Sequence, residues 1–346
     1  MRYLKYLAAY TIPLSAVLSL YFGGIMSYCT LFYSFLFLPV LELLLPADNK
    51  NMEAMEEELA KKDKVYDWLL YWNVPILYFI LIYFLFRISD NSLAWWEQLG
   101  MVTAMGLCCG VIGINVGHEL GHRVHNAERF IAKLLLLSSL YMHFYIEHNL
   151  GHHKRVGTEQ DPSSAKYNEP VYLFYPRTIL FSFLSAWDIQ MHMLEKQGAK
   201  FVSLHNQMLI FMLVEAVLII SIGAFFGMKV MLLFIAAASI GMLLLETINY
   251  IEHYGLRRKL KANGNYERVM PWHSWNSNHI IGRLVLYELT RHSDHHYLAS
   301  RKYQVLRHHD DSPQMPTGYP GMMLLSLIPP AWFFVMNRKI KSIKQE

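Results

Sequence analysis

Long apolar runs broken by short polar stretches dominate this 346-residue chain. Residues 3–46 are almost free of charge, too long for one membrane-spanning helix of about 20 residues and suited to two. Gly23 and Gly24 mark the break, which places helices near 4–22 and 28–46. Residues 47–66 turn polar and charged and predict a surface segment. Apolar periodicity then predicts helices over 67–87 and 95–117. The stretch 130–146 is apolar but short and dotted with Ser138, Ser139 and His143, so it does not predict a full crossing. Two further spans, 205–227 and 229–252, meet at Gly227. A last apolar stretch, 320–336, is interrupted by Pro329 and Pro330 and predicts an interfacial or bundle-packed element. The pattern predicts an all-α integral membrane protein with six transmembrane helices in one domain over 1–346. Its helical spans fill 4–117, and residues 254–346 form a cytoplasmic region.

Composition agrees: 54% of residues are hydrophobic and only 17% charged, against about 25% charged in soluble domains. The net charge of +4 and the lack of any nucleic-acid-binding motif exclude a nucleic-acid partner. The three cysteines, Cys29, Cys108 and Cys109, form no CxxC pair, which argues against disulfides, cysteine-bound zinc or an iron–sulfur centre. The start, MRYLKYLAAYTIPL, lacks a small-residue cleavage signature and reads as a retained first membrane helix.

Four polar clusters stand out against this background, all within 118–296: HELGH (118–122), HNLGHH (148–153), EHYG (252–255) and HSDHH (292–296). They supply His118, His122, His148, His152, His153, His253, His292, His295 and His296. Spacings of three and four residues put imidazoles on one helix face, and imidazole is a common ligand of transition metals. One metal takes about four to six ligands, so nine histidines suit two metals. All nine must meet on one side of the bilayer. Four crossings before His118 and two more before His253 satisfy that condition, with both termini on the same face. Lysine and arginine are concentrated on this face, which makes it cytoplasmic by the positive-inside rule.

Glu119, Glu252 and Asp294 flank these histidines, and His273, Asn278 and His279 lie in the nearby PWHSWNSNH segment. Neighbouring helix residues point about 100° apart, so a supporting hydrogen bond to a ligand ring is expected of them rather than direct ligation. HELGH also fits the HExxH pattern of zinc proteases, but that reading leaves most of the histidines idle. A histidine relay in a metal transporter is the other reading from a different class. Transporters set ionisable groups along a path within the bilayer, whereas these clusters sit at helix ends.

With these motifs in view, the chain resembles the membrane-bound alkane 1-monooxygenases, relatives of xylene monooxygenase hydroxylase subunits and, more distantly, of membrane fatty-acid desaturases. The resemblance runs from about residue 95 to 336 through GHELGHR, EHNLGHHKRVGTEQDPSSA, NYIEHYGLRR, HSWNSNH, RHSDHHYLASRKYQVLR and PQMPTGYPGMM. NYIEHYG favours the hydroxylase branch over the desaturases. The resemblance implies two non-haem irons held by the nine histidines, with O2 reduced and one oxygen atom inserted into the terminal C–H bond of an n-alkane. Methyl-aromatic hydroxylation and fatty-acyl desaturation are the alternatives. It further implies a bacterial inner-membrane location and electrons from rubredoxin, itself reduced by an NADH-dependent reductase. Arg123, Lys154, Arg155, Arg291, Arg301, Lys302 and Arg307 are candidates for docking that acidic partner. The amino-terminal third departs most from the family. At LPVLELLLPADNKN, Glu42 stands where relatives place an aspartate. Phe32, Tyr33, Phe35 and Phe37 either set the depth of a substrate cavity or face lipid.

Overall fold

The computed structural model describes residues 2–343. It is predominantly helical, and among the described residues only isolated β-bridges occur, at Ala47–His279, Leu260–Tyr266 and Asn276–Gln314. Among the described residues, five helices are long and apolar enough to cross a membrane: Gly24–Leu44, Val65–Ile88, Trp95–Gly121, Gln207–Phe226 and Met228–His253. The expected crossing at 4–22 is helical, as a 3-10 segment Arg2–Tyr10 running into Thr11–Phe22, but it is not among those five. Arg2, Lys5 and several tyrosines dilute its apolar character. Gly23 and Gly24 do break the chain, both with positive φ, as does Gly227 between the last two spans.

Trp95–Gly121 is the central element, with 83% of its most apolar window buried. It packs closely on Met228–His253 because small residues meet there: a Cβ on Gly241 would lie 2.7 Å from the Cys109 Cβ, and one on Gly106 2.6 Å from Ile240. Close approach of small residues is a main source of attraction between helices in lipid, where burial supplies little. Gln207–Phe226 is the opposite case, with 11% of its window buried and Leu213, Val217, Ile220 and Phe225 exposed, as a lipid-facing helix requires. Trp95–Gly121 and Met228–His253 both end in a histidine cluster, so one end of the bundle collects the polar residues.

One long helix escaped the hydrophobic pattern. Val171–Gln197 buries Thr178, Ser182, Ala186 and Gln190 while exposing Leu173, Leu180, Phe181 and Leu184. Its small, polar face turns inward against Met228–His253 and the histidine-bearing segment 144–155. The stretch 130–146 is not a crossing: helix Asn126–Leu137 stops and the chain turns at Leu140, which has positive φ. The apolar run 320–336 divides at its prolines into Tyr319–Ser326 and Pro329–Ile343; proline is well suited to a helix start.

Candidate metal centre

The four clusters converge. His118 and His122 sit at the end of Trp95–Gly121, and His253 closes Met228–His253. His292, His295 and His296 share the short helix His292–Tyr297. His148, His152 and His153 lie on a segment that is π-helical over Glu147–His152. This widened turn decides their roles. In an α-helix His148 and His152 would share a face, which is what the spacing predicted. The extra residue in the π-turn swings position i+5 towards i, so His153 meets His148, with Nε2 atoms 3.0 Å apart. The His152 ring stays 5.2 Å from that of His148, but its Nδ1 is turned to Asp161 and its ligand nitrogen groups with His253 and His296. A second π-turn, Cys109–Ile114, precedes His118 and rotates its face by about 100°.

Two groups result. Ligand nitrogens of His118, His122, His148, His153 and His295 lie within 4.8 Å of one another, as do those of His152, His253 and His296. His292 joins the second group, its Nε2 3.2 Å from that of His253. In the first group the Nε2 atoms of His118 and His295 are 2.8 Å apart and those of His153 and His295 3.1 Å. Two nitrogens bound at about 2.1 Å and at right angles to one another on a metal lie about 3 Å apart, so the spacing fits shared ligation. The Nε2 atoms of His122, His152 and His296 are buried with no hydrogen-bond partner, which costs free energy unless something accepts their lone pairs. Burial holds His148, His153, His292, His295 and His296 well below the usual imidazole range and takes His122 down to about 3. They are therefore neutral, the form that binds metals. For His152, burial acts the same way but is outweighed by the Asp161 carboxylate, which raises it.

Asp161 is a site residue that sequence reasoning missed. His152 Nδ1–H donates to its carboxylate at 3.0 Å, which leaves Nε2 free to face the metal position. It comes from the irregular loop after the π-turn, where no periodicity marks it; the fold-back is held by Ser163 and Ser164. Tyr319 and Ser274 were missed as well. Tyr319 Oη donates to Glu252 Oε1 at 2.6 Å, and Ser274 Oγ lies 3.4 Å from His253 Nδ1.

The residues expected to support the ligands fall elsewhere, with one exception. Glu252 was expected to support a ring; its Oε2 lies 3.1 Å from His292 Nε2, close enough to be a ligand. The helix ends at His253, so neighbouring side chains can reach the same point. Glu119 instead accepts from Arg123 and the Tyr303 backbone. Asp294 takes Arg301, His309 and the Arg307 amide, which fixes the loop beyond the histidines. His273 pairs with Glu267, His279 with Ser277, and Asn278 with His308 and Gln314.

The basic set also divides. Arg123 and Arg291 are buried, Arg123 on Glu119 and Asp67 and Arg291 on backbone carbonyls of the 48–50 segment, so neither faces a partner. Arg155 pairs with Glu147, Arg301 with Asp294, Lys302 with Asp67 and Arg307 with Glu57. Lys154 is exposed.

A narrow apolar cavity opens beside the histidines. Val111, Ile114, Leu244, Leu245, Ile248, Leu286 and Leu289 form its walls, and His118, His148, His292 and Glu252 its metal-side end. It continues past Phe35 and Leu38 of the second helix, while Phe32 and Phe37 are exposed on the outer face and Tyr33 donates to Thr11.

Residues 93–325 match the family model described as fatty acid desaturase. Alkane 1-monooxygenase 2 of Alcanivorax borkumensis is 36% identical over 96% of this chain and 87% of its own length. Alkane 1-monooxygenase 1 of Pseudomonas aeruginosa is 40% identical over 88% of this chain and 80% of its own. The chain belongs to the alkane 1-monooxygenase family. The xylene/toluene monooxygenase hydroxylase component XylM of Pseudomonas putida is more distant from this alkane 1-monooxygenase family member, at 26% identity over 97% of the chain and 88% of its own length.

Proposed function

We propose that this protein is a di-iron monooxygenase that converts n-alkanes to 1-alkanols, with the nine histidines as ligands in a group of five and a group of four. The single observation that carries the reading is the convergence of all nine histidine side chains, three of them with a buried, partnerless Nε2, beside a narrow apolar cavity. Bound iron supplies the redox chemistry that reduces O2 and oxidises one terminal C–H bond. The chain supplies the rest. Its cavity walls take up an alkyl chain at about 0.8 kcal/mol per CH2, or roughly 6 kcal/mol for eight carbons before the costs of binding. They leave the terminal methyl beside His118, His148 and His292 and exclude water from it. Asp161 keeps the proton on His152 Nδ1. Tyr319 holds the Glu252 carboxylate against His292.

The reading includes six crossings, with Arg2–Phe22 as the sixth, an inner-membrane location and a cytoplasmic site. In its support, Lys5 and Tyr6 bond Glu288, which ties the amino terminus to the histidine end of the bundle. Rubredoxin is the proposed electron donor, docking near Lys154. The test is turnover of purified, iron-loaded protein with rubredoxin, its NADH-dependent reductase, isotopically labelled O2 and a mixture of n-alkanes. Labelled 1-alkanol is the expected product. An alkene, an unlabelled alcohol or turnover of methyl-aromatics alone would overturn the reading.

A further inference from the structure

Val171–Gln197 is 27 residues long, about 40 Å at the usual rise, yet both of its ends lie at the histidine end of the bundle. Before it, Tyr250 Oη donates to the Glu169 carbonyl and the Asn168 amide donates to Tyr254 Oη, on either side of His253. After it, Gln190 Nε2 donates to the His205 carbonyl, and Lys133 Nζ donates to Gln207 Oε1. Ala132, beside Lys133, packs on Gly117, the neighbour of His118. A helix that starts and stops at one level lies across the bundle end. Its inner face bonds Glu246 and Thr247, about two turns from His253. Phe183, Ala186 and Trp187 share an apolar cluster with Met208 and Phe211, from the first turns of the lipid-facing Gln207–Phe226. The outer face is divided lengthwise. Leu173, Leu180, Leu184 and Met191, spaced by seven, four and seven residues, form one exposed stripe. Arg177, Asp188 and Glu195 follow about 50° further round, with Phe181 among them and Asp188 paired to His192. The loop 198–206 then adds Phe201, Val202 and Leu204, the last two 81 and 88% exposed. Trp187 stacks on Phe201, and Lys196 and Lys200 are exposed nearby in the chain. A contiguous apolar surface of this kind marks an interaction site.

We propose that Val171–Gln197 and the loop 198–206 form an in-plane membrane anchor. The leucine stripe and the side chains of Phe201, Val202 and Leu204 sink among the acyl chains of the leaflet at the histidine end, and the charged stripe stays in the headgroups. Three observations select lipid as the occupant. The helix leans on the first turns of a span whose outer face is lipid-facing. Its charges keep to one side of the apolar stripe, as a helix lying at an interface requires. Tryptophan and lysine, here Trp187, Lys196 and Lys200, are residue types that settle at headgroup level. The anchor also bears on the metal centre. Arg177, from the charged stripe, donates to Glu169 and to the carbonyls of Pro162 and Ser164, in the loop that seats Asp161 against His152. Contact with the bilayer therefore braces the four-histidine group.

The test uses the full chain in vesicles of phosphatidylcholine and phosphatidylglycerol and does not depend on the chemistry of the metal centre. Nitroxide labels are attached one at a time through Leu180→Cys, Leu184→Cys, Asp188→Cys and Glu195→Cys, with Val217→Cys as the mid-span reference. Each variant also carries Cys29→Ser, since Cys108 and Cys109 are buried. Electron paramagnetic resonance then compares collisions of each label with oxygen, which concentrates in acyl chains, and with a water-soluble nickel chelate. Two sites on each stripe keep the comparison intact if one variant misfolds. At Leu180 and Leu184 the ratio of oxygen to nickel collisions should exceed that at Asp188 and Glu195 several-fold, yet stay below that at Val217. Equal nickel access on both stripes means that water covers the face. Low access of both reagents at Leu180 and Leu184 means that protein covers it. A ratio equal to that at Val217 means that the helix is immersed at mid-bilayer depth. Each of these three results overturns the proposal.

Discussion

The two histidine groups are built differently. The five-histidine group brings together residues from three separate segments, and its rings face one another with no carboxylate among their hydrogen-bond partners in the described residues. The four-histidine group is anchored from outside: Asp161 holds His152, Ser274 lies beside His253, and Tyr319 holds Glu252 against His292. A carboxylate behind a ligand ring fixes its tautomer and makes the free nitrogen more basic. The groups should therefore bind metal with unequal strength, the four-histidine group being better organised in advance.

The severest way to test this contrast is to remove one ligand from each group. His295→Ala and His253→Ala should each abolish hydroxylation and remove roughly one of two irons. Metal analysis of both proteins checks it, and full iron with near-normal turnover in either would break the division. Next in size is Asp161→Asn, which keeps shape but removes the charge behind His152. Metal affinity in the four-histidine group should drop about 10–100-fold, read by competition with a chelator. An unchanged affinity would mean that the anchoring contributes nothing.

Acid should act more gradually. In the metal-free protein the unfolded chain takes up protons near the ordinary histidine pKa of about 6.5. Folded His122 does so only near about 3, and burial likewise depresses His148, His153, His292, His295 and His296. Protons below pH 6.5 therefore favour the unfolded state, and stability falls as pH drops from about 6.5 towards 3. His152 has the opposite shift; its contribution is complete below 6.5 and fades as pH rises through its folded value. Melting temperature against pH measures the sum, and a flat profile would contradict the burial argument. The smallest effect concerns Lys154. Its replacement by Ala should slow reduction by rubredoxin about twofold at low salt and less at high salt, as expected of one exposed charge. Stopped-flow reduction at two ionic strengths checks it.

Much of the site was legible because its signal is local. The nine histidines stand in short clusters at the ends of apolar runs, and the structure gathers all nine. The apolar runs at 95–117, 205–227 and 229–252 correspond to helices for the same reason, since a long hydrophobic stretch has few alternatives in lipid. What was not legible depends on the identity of a neighbour. Val171–Gln197 carries its apolar residues outward, so its pattern did not reveal a helix whose inner face is small and polar. Arg123 and Arg291 look like free surface charges until the acids and carbonyls that bury them are in place. Asp161 belongs to a loop, and only the fold-back shows which ring it meets.

The sequence by itself determined which residues gather and at which end of the bundle: apolar length sets the helices, and helix ends carry the histidines. The tertiary structure alone decided how the nine are shared. At the π-turn Glu147–His152 the ligand nitrogens of His148 and His153 join one group and that of His152 the other. Whether a turn closes as α or π depends on the packing around it, not on residue spacing. The same holds for Glu42. Its carboxylate is one acid in an apolar helix until Gly282 and Gly318 close around it and leave one oxygen without a partner.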